Sequence, residues 1–163
     1  MRRAELAALT VDQISAHDRG LVLALPRSKT NPRGTEHELV VLPRAGHRAR
    51  CPVTALQAWL AATGITAGPA LRKVSKGNRA LARGLHPASV NDLVQAAVAR
   101  ARLNPARYSA HSLRAGFVTF AHLRGASDRA IAHQTRHRSL ATVGTYVRIH
   151  EAWADNAATM LGL

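Results

Sequence analysis

Crosslinking and membrane-spanning residues are nearly absent from this sequence. Cys51 is the only cysteine among 163 residues, which excludes an intramolecular disulfide and a cysteine-rich zinc cluster. Flanked by Arg50 and Pro52, it is predicted to be a packing or helix-start residue rather than a nucleophile. No apolar run approaches the ~18 residues of a membrane span. Because no signal-peptide pattern opens the chain either, the expected location is the cytoplasm.

Acidic residues are also scarce, and their scarcity indicates a polyanionic partner. Asp and Glu total 9 against 23 Lys and Arg, so the formal net charge is +14 with the histidines neutral. Clustered cations favour nucleic acid, whose phosphates they neutralise. Arginine greatly outnumbers lysine and alanine is abundant, a pattern that a GC-rich coding background also produces. A merely basic globular protein is therefore the alternative at this point.

The length suits a single domain with a sizeable core, and the predicted elements make it α+β, mainly helical, with a small antiparallel sheet near the N-terminus. Good helix formers with Leu6 and Leu9 on one face predict a helix over 2–9. The short apolar runs 21–25 and 38–42 predict a β-hairpin with a long basic tip, and a third strand is expected within 11–16.

The remainder of the chain is predicted to be helical apart from residues 65–86, whose glycines and cations favour a loop. This loop either touches a DNA backbone or stays solvated. Helices are predicted to begin at Pro52, Pro87, Ser109, Ser127 and Ser139, with a last amphipathic segment over 152–161. Within the helix over 109–125, Leu113, Phe117 and Phe120 are expected to face a core.

The polar residues between His111 and Tyr146 suit an attack on a phosphodiester. His111 and Arg114 lie three apart and project from one face of the predicted helix. Arginine can hold two phosphate oxygens at once, which stabilises phosphoryl transfer without a metal. Tyr146 is the candidate nucleophile, and because phenol titrates near pH ~10 it needs cations and a base nearby. His111 and His137 are the imidazoles available for proton handling.

Taken singly, each of these residues has a more ordinary explanation. A helical tyrosine is usually a packing residue, and a His-x-x-Arg pair arises by chance in many basic helices. His133 and His137 lie four apart, as in a metal pair, but no nearby carboxylate or cysteine completes a zinc site. We therefore expect no metal and no cofactor, and the functional signal is the order of the residues.

In that order the chain resembles the catalytic domain of the tyrosine recombinase (phage integrase) family over nearly all of its length. The motifs that carry the resemblance are Arg2-Arg3-Ala4-Glu5-Leu6, Ser28-Lys29-Thr30, Cys51-Pro52-Val53 with Trp59-Leu60, His111-Ser112-Leu113-Arg114, His137-Arg138-Ser139, and Tyr146 nine residues after His137. The resemblance implies a helical bundle with a small antiparallel sheet. It also implies an enzyme that breaks and rejoins DNA as a tetramer of identical chains on two duplexes.

The resemblance further implies a role for each matching residue. Arg2 and Arg114 would clamp the scissile phosphate, with a hydrogen bond from His137. Lys29 would protonate the departing 5′ oxygen, and His111 would assist as a base. Tyr146 would form a 3′-phosphotyrosyl link, which a 5′ hydroxyl from a partner strand resolves. Arg3 is the weaker choice for the first arginine.

Two departures from the family pattern bear on activity rather than on membership. The domain is expected to span 1–163 without its first helices and without the family's N-terminal DNA-clamping domain, which leaves Arg2 in a segment that frays unless pinned. Arg136 replaces the usual glycine before the second histidine, with strain on the order of 1–2 kcal/mol if that position has a positive φ. The alternatives are a non-catalytic DNA-binding remnant or regulator of the same fold, a type IB topoisomerase-like enzyme, and a basic helical nucleic-acid-binding protein.

Overall fold

The computed structural model describes residues 1–25, 38–137, 139–141 and 143–144. Their contacts divide the chain into two compact units, Met1–Leu93 and Val94–Leu163, and the boundary falls within a helix. In the described residues, the first unit contains two small antiparallel sheets, two α-helices and the start of a third, and the second unit is helical. The α+β class with a predominance of helix is confirmed.

A three-stranded antiparallel sheet forms the core of the first unit. Its strands are β1 (Ile14–His17), β2 (Gly20–Leu25) and β3 (Glu38–Pro43), with β2 in the centre. Leu23 lies opposite Ile14 on one side and Val40 on the other, and its side chain is fully buried. The predicted hairpin and third strand are confirmed, while the hairpin tip (26–37) lies outside the described residues.

Two helices flank this sheet. Helix α1 (Arg3–Ala8) leads into Leu9, which is buried with the strand residues, and helix α2 (Pro52–Thr63) has proline in its first turn and ends at Gly64 with φ of 64°. Proline lacks the amide hydrogen that the first turn leaves unused, and glycine accepts the left-handed conformation. Both predicted helices are confirmed.

Cys51 occupies the position immediately before α2, with its side chain in the core beside Val53. Hydrogen bonding by Thr54, with a smaller contribution from the Ala45 amide, lowers the pKa of the thiol from 9.0 to about 7. The predicted packing and helix-start role of this cysteine is confirmed.

The prediction of an unstructured loop over 65–86 is wrong. Strands β4 (Arg72–Val74) and β5 (Ala80–Gly84) form a second hairpin, hereafter the basic hairpin. The strands are short and interrupted by a bulge, so the apolar alternation that signals a strand is missing from the sequence. Gly77 and Asn78 belong to the turn between the two strands.

Helices α3 (Pro87–Arg100), α4 (Ala110–Leu123) and α5 (Asp128–Thr135) follow as predicted. Ser109 caps α4 by accepting the amide hydrogen of Ser112, and Ser127 caps α5 by accepting that of Ala130. Val118, Ile131 and Val143 bury their side chains together in the second unit. These contacts fix α5 against α4.

The predicted core-facing side of α4 is wrong. Leu113, Phe117 and Phe120 are 56%, 45% and 65% exposed, whereas Val118 is fully buried. In a helix Val118 is turned about 100–160° away from those three residues, so it belongs to a different face. The small residues Ala121 and Ala126 allow α5 to approach on the Val118 side.

The start of the next helix is also as predicted. Ser139 accepts a hydrogen bond from the Ala141 amide at 3.2 Å, and residues 140, 141, 143 and 144 are helical. The amphipathic segment predicted over 152–161 lies outside the described residues. No helix in the described parts of the chain combines the length and apolar character needed to cross a membrane.

Candidate active site

Arg2 is held by the carboxylate of Glu5. The backbone amide of Arg2 donates to Glu5 Oε2 at 2.6 Å, and its guanidinium Nη1 donates to Oε1 at 2.9 Å. The Glu5 side chain is only 4% exposed, so its charge is compensated by Arg2 rather than by water. The Arg2 carbonyl also accepts from the Leu6 amide at 3.0 Å. The segment expected to fray is therefore fixed at both its backbone and its side chain.

Arg114 lies on α4 and reaches across to the end of α5. Its guanidinium Nη2 donates to the Thr135 carbonyl oxygen at 2.5 Å. This carbonyl belongs to the last turn of α5, where carbonyls lack a partner within the helix. Because this carbonyl is fixed in the backbone, the bond orients the Arg114 guanidinium.

Thr135 also positions His137. Its hydroxyl oxygen lies 2.6 Å from the Ile131 carbonyl and 2.8 Å from His137 Nδ1. A carbonyl only accepts, so the single hydroxyl hydrogen goes to Ile131 and the oxygen accepts from Nδ1–H. The neutral imidazole therefore carries its hydrogen on Nδ1, and Nε2 is the nitrogen that gains or loses a proton.

His111 lies in the first turn of α4, three residues before Arg114. The reciprocal bonds between Ser109 and Ser112 hold this turn, with Ser109 N to Ser112 Oγ at 3.1 Å and Ser112 N to Ser109 Oγ at 3.2 Å. The His111 side chain is exposed and Arg114 is half-buried. Their spacing on one helix is as predicted, with the imidazole nearer to solvent.

Arg136 adopts the left-handed conformation. This is the positive φ on which the strain predicted from the sequence depends. Its φ and ψ are 57° and 47° where α5 ends, a position that favours glycine. The turn reverses the chain after Thr135, so that the His137 amide donates to the Ala132 carbonyl at 3.0 Å. The strain at Arg136 therefore lies in the turn that brings His137 back to Thr135.

The second unit thus brings Arg114 and His137 together through one residue, Thr135. Arg2 belongs to the first unit and is fixed within it by Glu5. Lys29 and Tyr146 lie outside the described residues. Their roles remain those that the motifs imply.

Two residues that position the site were not among the predicted site residues. Glu5 was visible only as part of the Arg-x-x-Glu spacing, where a carboxylate three residues into a helix reaches back to the preceding amide. Thr135 had no distinguishing pattern, because a threonine near a helix end is common. Its role depends on a contact between residues 21 positions apart in the chain.

No group of three or more His, Cys, Asp or Glu side chains suited to a metal ion occurs among the residues that the structure describes. His133 is exposed, while His137 bonds Thr135 through Nδ1. The two histidines four apart therefore have different surroundings.

Comparison with known proteins shows the fold and supports the family. No protein-family model matches the chain. It is 30% identical over 156 residues, 96% of its length, to the integrase/recombinase xerD homolog of Selenomonas ruminantium. The chain spans 46% of the length of that curated relative.

Solved recombinase structures have the same fold. The XerH site-specific recombinase bound to palindromic difH substrate, in a post-cleavage complex, matches with a TM-score of 0.69 and 20% identity, over 100% of this chain and 42% of that one. The XerA recombinase matches with a TM-score of 0.62 and 17% identity, over 96% of this chain and 53% of that one. These likenesses show the fold, and together with the relative above they support membership of the tyrosine recombinase family.

Proposed function

We propose that this chain is the catalytic part of a site-specific recombinase that cleaves and rejoins duplex DNA through a 3′-phosphotyrosyl intermediate. One observation carries the proposal: Thr135 bonds Arg114 through its carbonyl and His137 through its hydroxyl. A guanidinium and an imidazole held together in this way suit a phosphodiester, whose two non-bridging oxygens share one negative charge. A structural role alone requires no such pairing of cationic and proton-carrying groups.

In the proposed cleavage step, the Tyr146 hydroxyl oxygen attacks the scissile phosphorus. A phosphorus–oxygen bond to tyrosine forms as the bond to the 5′ oxygen breaks, and His111 accepts the tyrosyl proton. Lys29 gives a proton to the departing 5′ oxygen. Because the phosphotyrosyl link conserves the phosphodiester, a 5′ hydroxyl reverses the step without a nucleotide cofactor.

Arg2 and Arg114 stabilise the charge that develops on the phosphate in this proposal. Each guanidinium donates to a non-bridging oxygen, and His137 in its protonated form donates a further hydrogen bond through Nε2–H. The bond between Nδ1 and Thr135 restricts rotation of the imidazole ring. Preorganised donors of this kind need no rearrangement during the reaction, which is the main source of their effect on rate.

Exchange between duplexes requires the attacking 5′ hydroxyl to come from a second DNA molecule. Two duplexes with two cleavable strands each present four scissile phosphates, so we propose a homotetramer on DNA. The net charge of +14 favours such an assembly only once DNA neutralises the repulsion between copies. We also propose that the residues expected to precede the family's catalytic domain complete the grip on DNA.

The test is covalent capture on nicked suicide substrates. Incubate the 163-residue chain with a pool of nicked duplexes that carry randomised inverted repeats, and resolve the products on a denaturing gel. The expected product is a protein–DNA adduct for the wild type and for Tyr108→Phe, and none for Tyr146→Phe. Tyr108 is the matched control, because it is the other tyrosine in the sequence.

The outcomes separate the alternatives. An adduct that survives in Tyr146→Phe refutes the assignment of the nucleophile. Binding without any adduct favours the DNA-binding remnant. Relaxation of a supercoiled plasmid without recombinant products favours the type IB topoisomerase-like enzyme, which needs only one duplex.

A further inference from the structure

The basic hairpin carries a concentration of exposed positive charge. Its exposed cations are Lys73, Lys76, Arg79 and Arg83. No Asp or Glu occurs anywhere between Glu38 and Asp92, so the hairpin and its neighbours in sequence contain no carboxylate to balance them. Like charges at this density repel one another, and an anionic partner relieves that repulsion.

The tip of the basic hairpin is a closed turn. The Ser75 amide donates to the Arg79 carbonyl at 2.9 Å, and the Asn78 amide donates to the Ser75 carbonyl at 3.0 Å. Asn78 has a φ of 56°, and the Ser75 hydroxyl accepts from the Arg79 amide at 3.1 Å. A three-residue hairpin loop commonly has such a left-handed residue. Lys76 and Arg79 therefore project from a defined backbone.

The base of the hairpin is braced by its remaining cation, Arg72. Its guanidinium donates to the Pro69 carbonyl through Nε at 3.0 Å and to the Ala67 carbonyl through Nη2 at 2.5 Å. The Leu85 amide donates to the Leu71 carbonyl at 2.9 Å, which closes the strand pair. Arg72 is thus engaged with the protein, which distinguishes it from the four exposed cations.

The same base is attached to the segment that follows the Arg2 helix. The Ala70 amide donates to the Leu9 carbonyl at 2.9 Å, and the Val11 amide donates to the Gly68 carbonyl at 3.0 Å. The Ala70 carbonyl in turn accepts from the Trp59 indole at 2.8 Å. These bonds join the hairpin, α1 and α2 within the first unit. The hairpin therefore keeps a fixed position relative to α1, on which Arg2 is held.

From these observations we infer that the basic hairpin binds the phosphate backbone of duplex DNA through Lys73, Lys76, Arg79 and Arg83. The inference rests on the proposed function and extends it to a second binding surface on the first unit. Lysine and arginine contacts to phosphates position a protein on the duplex without reading its sequence. The hairpin accordingly contributes affinity and register beside Arg2, and no base preference.

The salt dependence of duplex binding tests this inference. The variant K73Q/K76Q/R79Q/R83Q removes the four exposed cations, and R19Q/R44Q/R48Q/R50Q removes four exposed arginines elsewhere in the first unit. Both lower the net charge equally. Affinity for a fluorescent duplex is measured by anisotropy from low to moderate salt, for two unrelated sequences, and circular dichroism melting checks that each variant folds.

The slope of log K against log salt is negative, at about −0.9 per phosphate contact, so loss of four contacts makes it less steep by about 3–4. We expect that change for the hairpin variant with both sequences, and a change below about 1 for the control. Equal changes of the slope in the two variants overturn the inference, because net charge then explains the effect. An unchanged slope in the hairpin variant also overturns it. Failure of the wild type to bind any duplex overturns the proposed function too. Normal wild-type adducts with an unchanged hairpin slope overturn the hairpin inference alone.

Discussion

The two units hold their candidate arginines in different ways. In Met1–Leu93, Arg2 is fixed by a carboxylate three residues away, so its position depends on one local ion pair at a helix start. In Val94–Leu163, Arg114 is fixed by a backbone carbonyl on another helix, so its position depends on the packing of α4 against α5. The first arrangement is encoded in four consecutive residues. The second exists only when the unit is folded.

This difference predicts different sensitivities. An ion pair is weakened by removal of either charge, whereas a carbonyl persists through every side-chain substitution at its own residue. Changes at Glu5 should therefore affect Arg2 and not Arg114, and changes at Thr135 should affect His137 without releasing Arg114. The following substitutions test that separation.

Replacement of either arginine by lysine should have the largest effect. Lysine keeps the charge but lacks the planar fork, so Arg114→Lys cannot hold two phosphate oxygens side by side while it also contacts the Thr135 carbonyl. We expect Arg2→Lys and Arg114→Lys each to lower the rate of adduct formation by about 10²–10³-fold. Arg124→Lys, at the end of α4, is the control and should stay within about twofold of the wild type. Retention of a tenth of the wild-type rate by Arg114→Lys would contradict the clamp.

Glu5→Gln should have the next largest effect, confined to the first unit. In the amide one of the two oxygens becomes an NH2 donor, so either the backbone amide or the guanidinium of Arg2 then faces a donor in place of its acceptor. Loss of one charged hydrogen bond of about 1.5–3 kcal/mol predicts a fall in cleavage rate of roughly 10–100-fold. Asp12→Asn removes an exposed carboxylate of the same unit and should leave the rate unchanged. A double-mutant cycle with Arg2→Lys should show strong non-additivity; additive effects would mean that Glu5 acts elsewhere.

Thr135→Val should have a smaller effect that spares Arg114. Valine keeps the shape and the backbone carbonyl but removes the acceptor for His137 Nδ1–H. One lost hydrogen bond of about 1 kcal/mol predicts a roughly fivefold lower cleavage rate, with unchanged DNA affinity. Thr135→Ser retains the hydroxyl and should restore most of the rate. If serine is as slow as valine, the hydroxyl does not orient the imidazole.

Arg136→Gly should have the smallest effect and the opposite sign. Glycine accepts a φ of 57° without the clash of a Cβ, so relief of strain should stabilise the second unit by about 1 kcal/mol. Arg102, with a φ of 59°, offers a matched substitution in the same unit. Urea unfolding of both variants measures the gain. If Arg136→Gly is destabilised while Arg102→Gly is stabilised, the contacts of the Arg136 side chain stabilise the unit by more than the positive φ destabilises it.

Local signals in the sequence predicted most of the first unit and the helix ends. Pro52, Gly64 and Ser127 fix element boundaries through backbone chemistry that depends on single residues. The order of Arg2, His111, Arg114 and His137 indicated the candidate site, whose residue roles stay a prediction, and the motif raised a positive φ before His137 only as a condition.

What could not be predicted depends on contacts between distant residues. Helix α4 has apolar residues on more than one face, and only the approach of α5 decides that Val118 is covered while Phe117 is not. The bond from Arg114 to Thr135 has the same origin. The basic hairpin was not predicted because its short, irregular strands lack alternating apolar and polar residues. Its turn-forming residues therefore favoured a loop.

The bond from Trp59 to Ala70 also gives the protein an intrinsic optical reporter. The sequence has two tryptophans, and a Trp153→Phe substitution leaves one indole, hydrogen-bonded inside the first unit beside the base of the basic hairpin. Unfolding of that unit breaks the bond and moves the indole into water, so its emission should shift to longer wavelength. Fluorescence from this one side chain therefore reports whether the first unit, which holds Arg2, is folded. The measurement needs no DNA and does not depend on the helical unit.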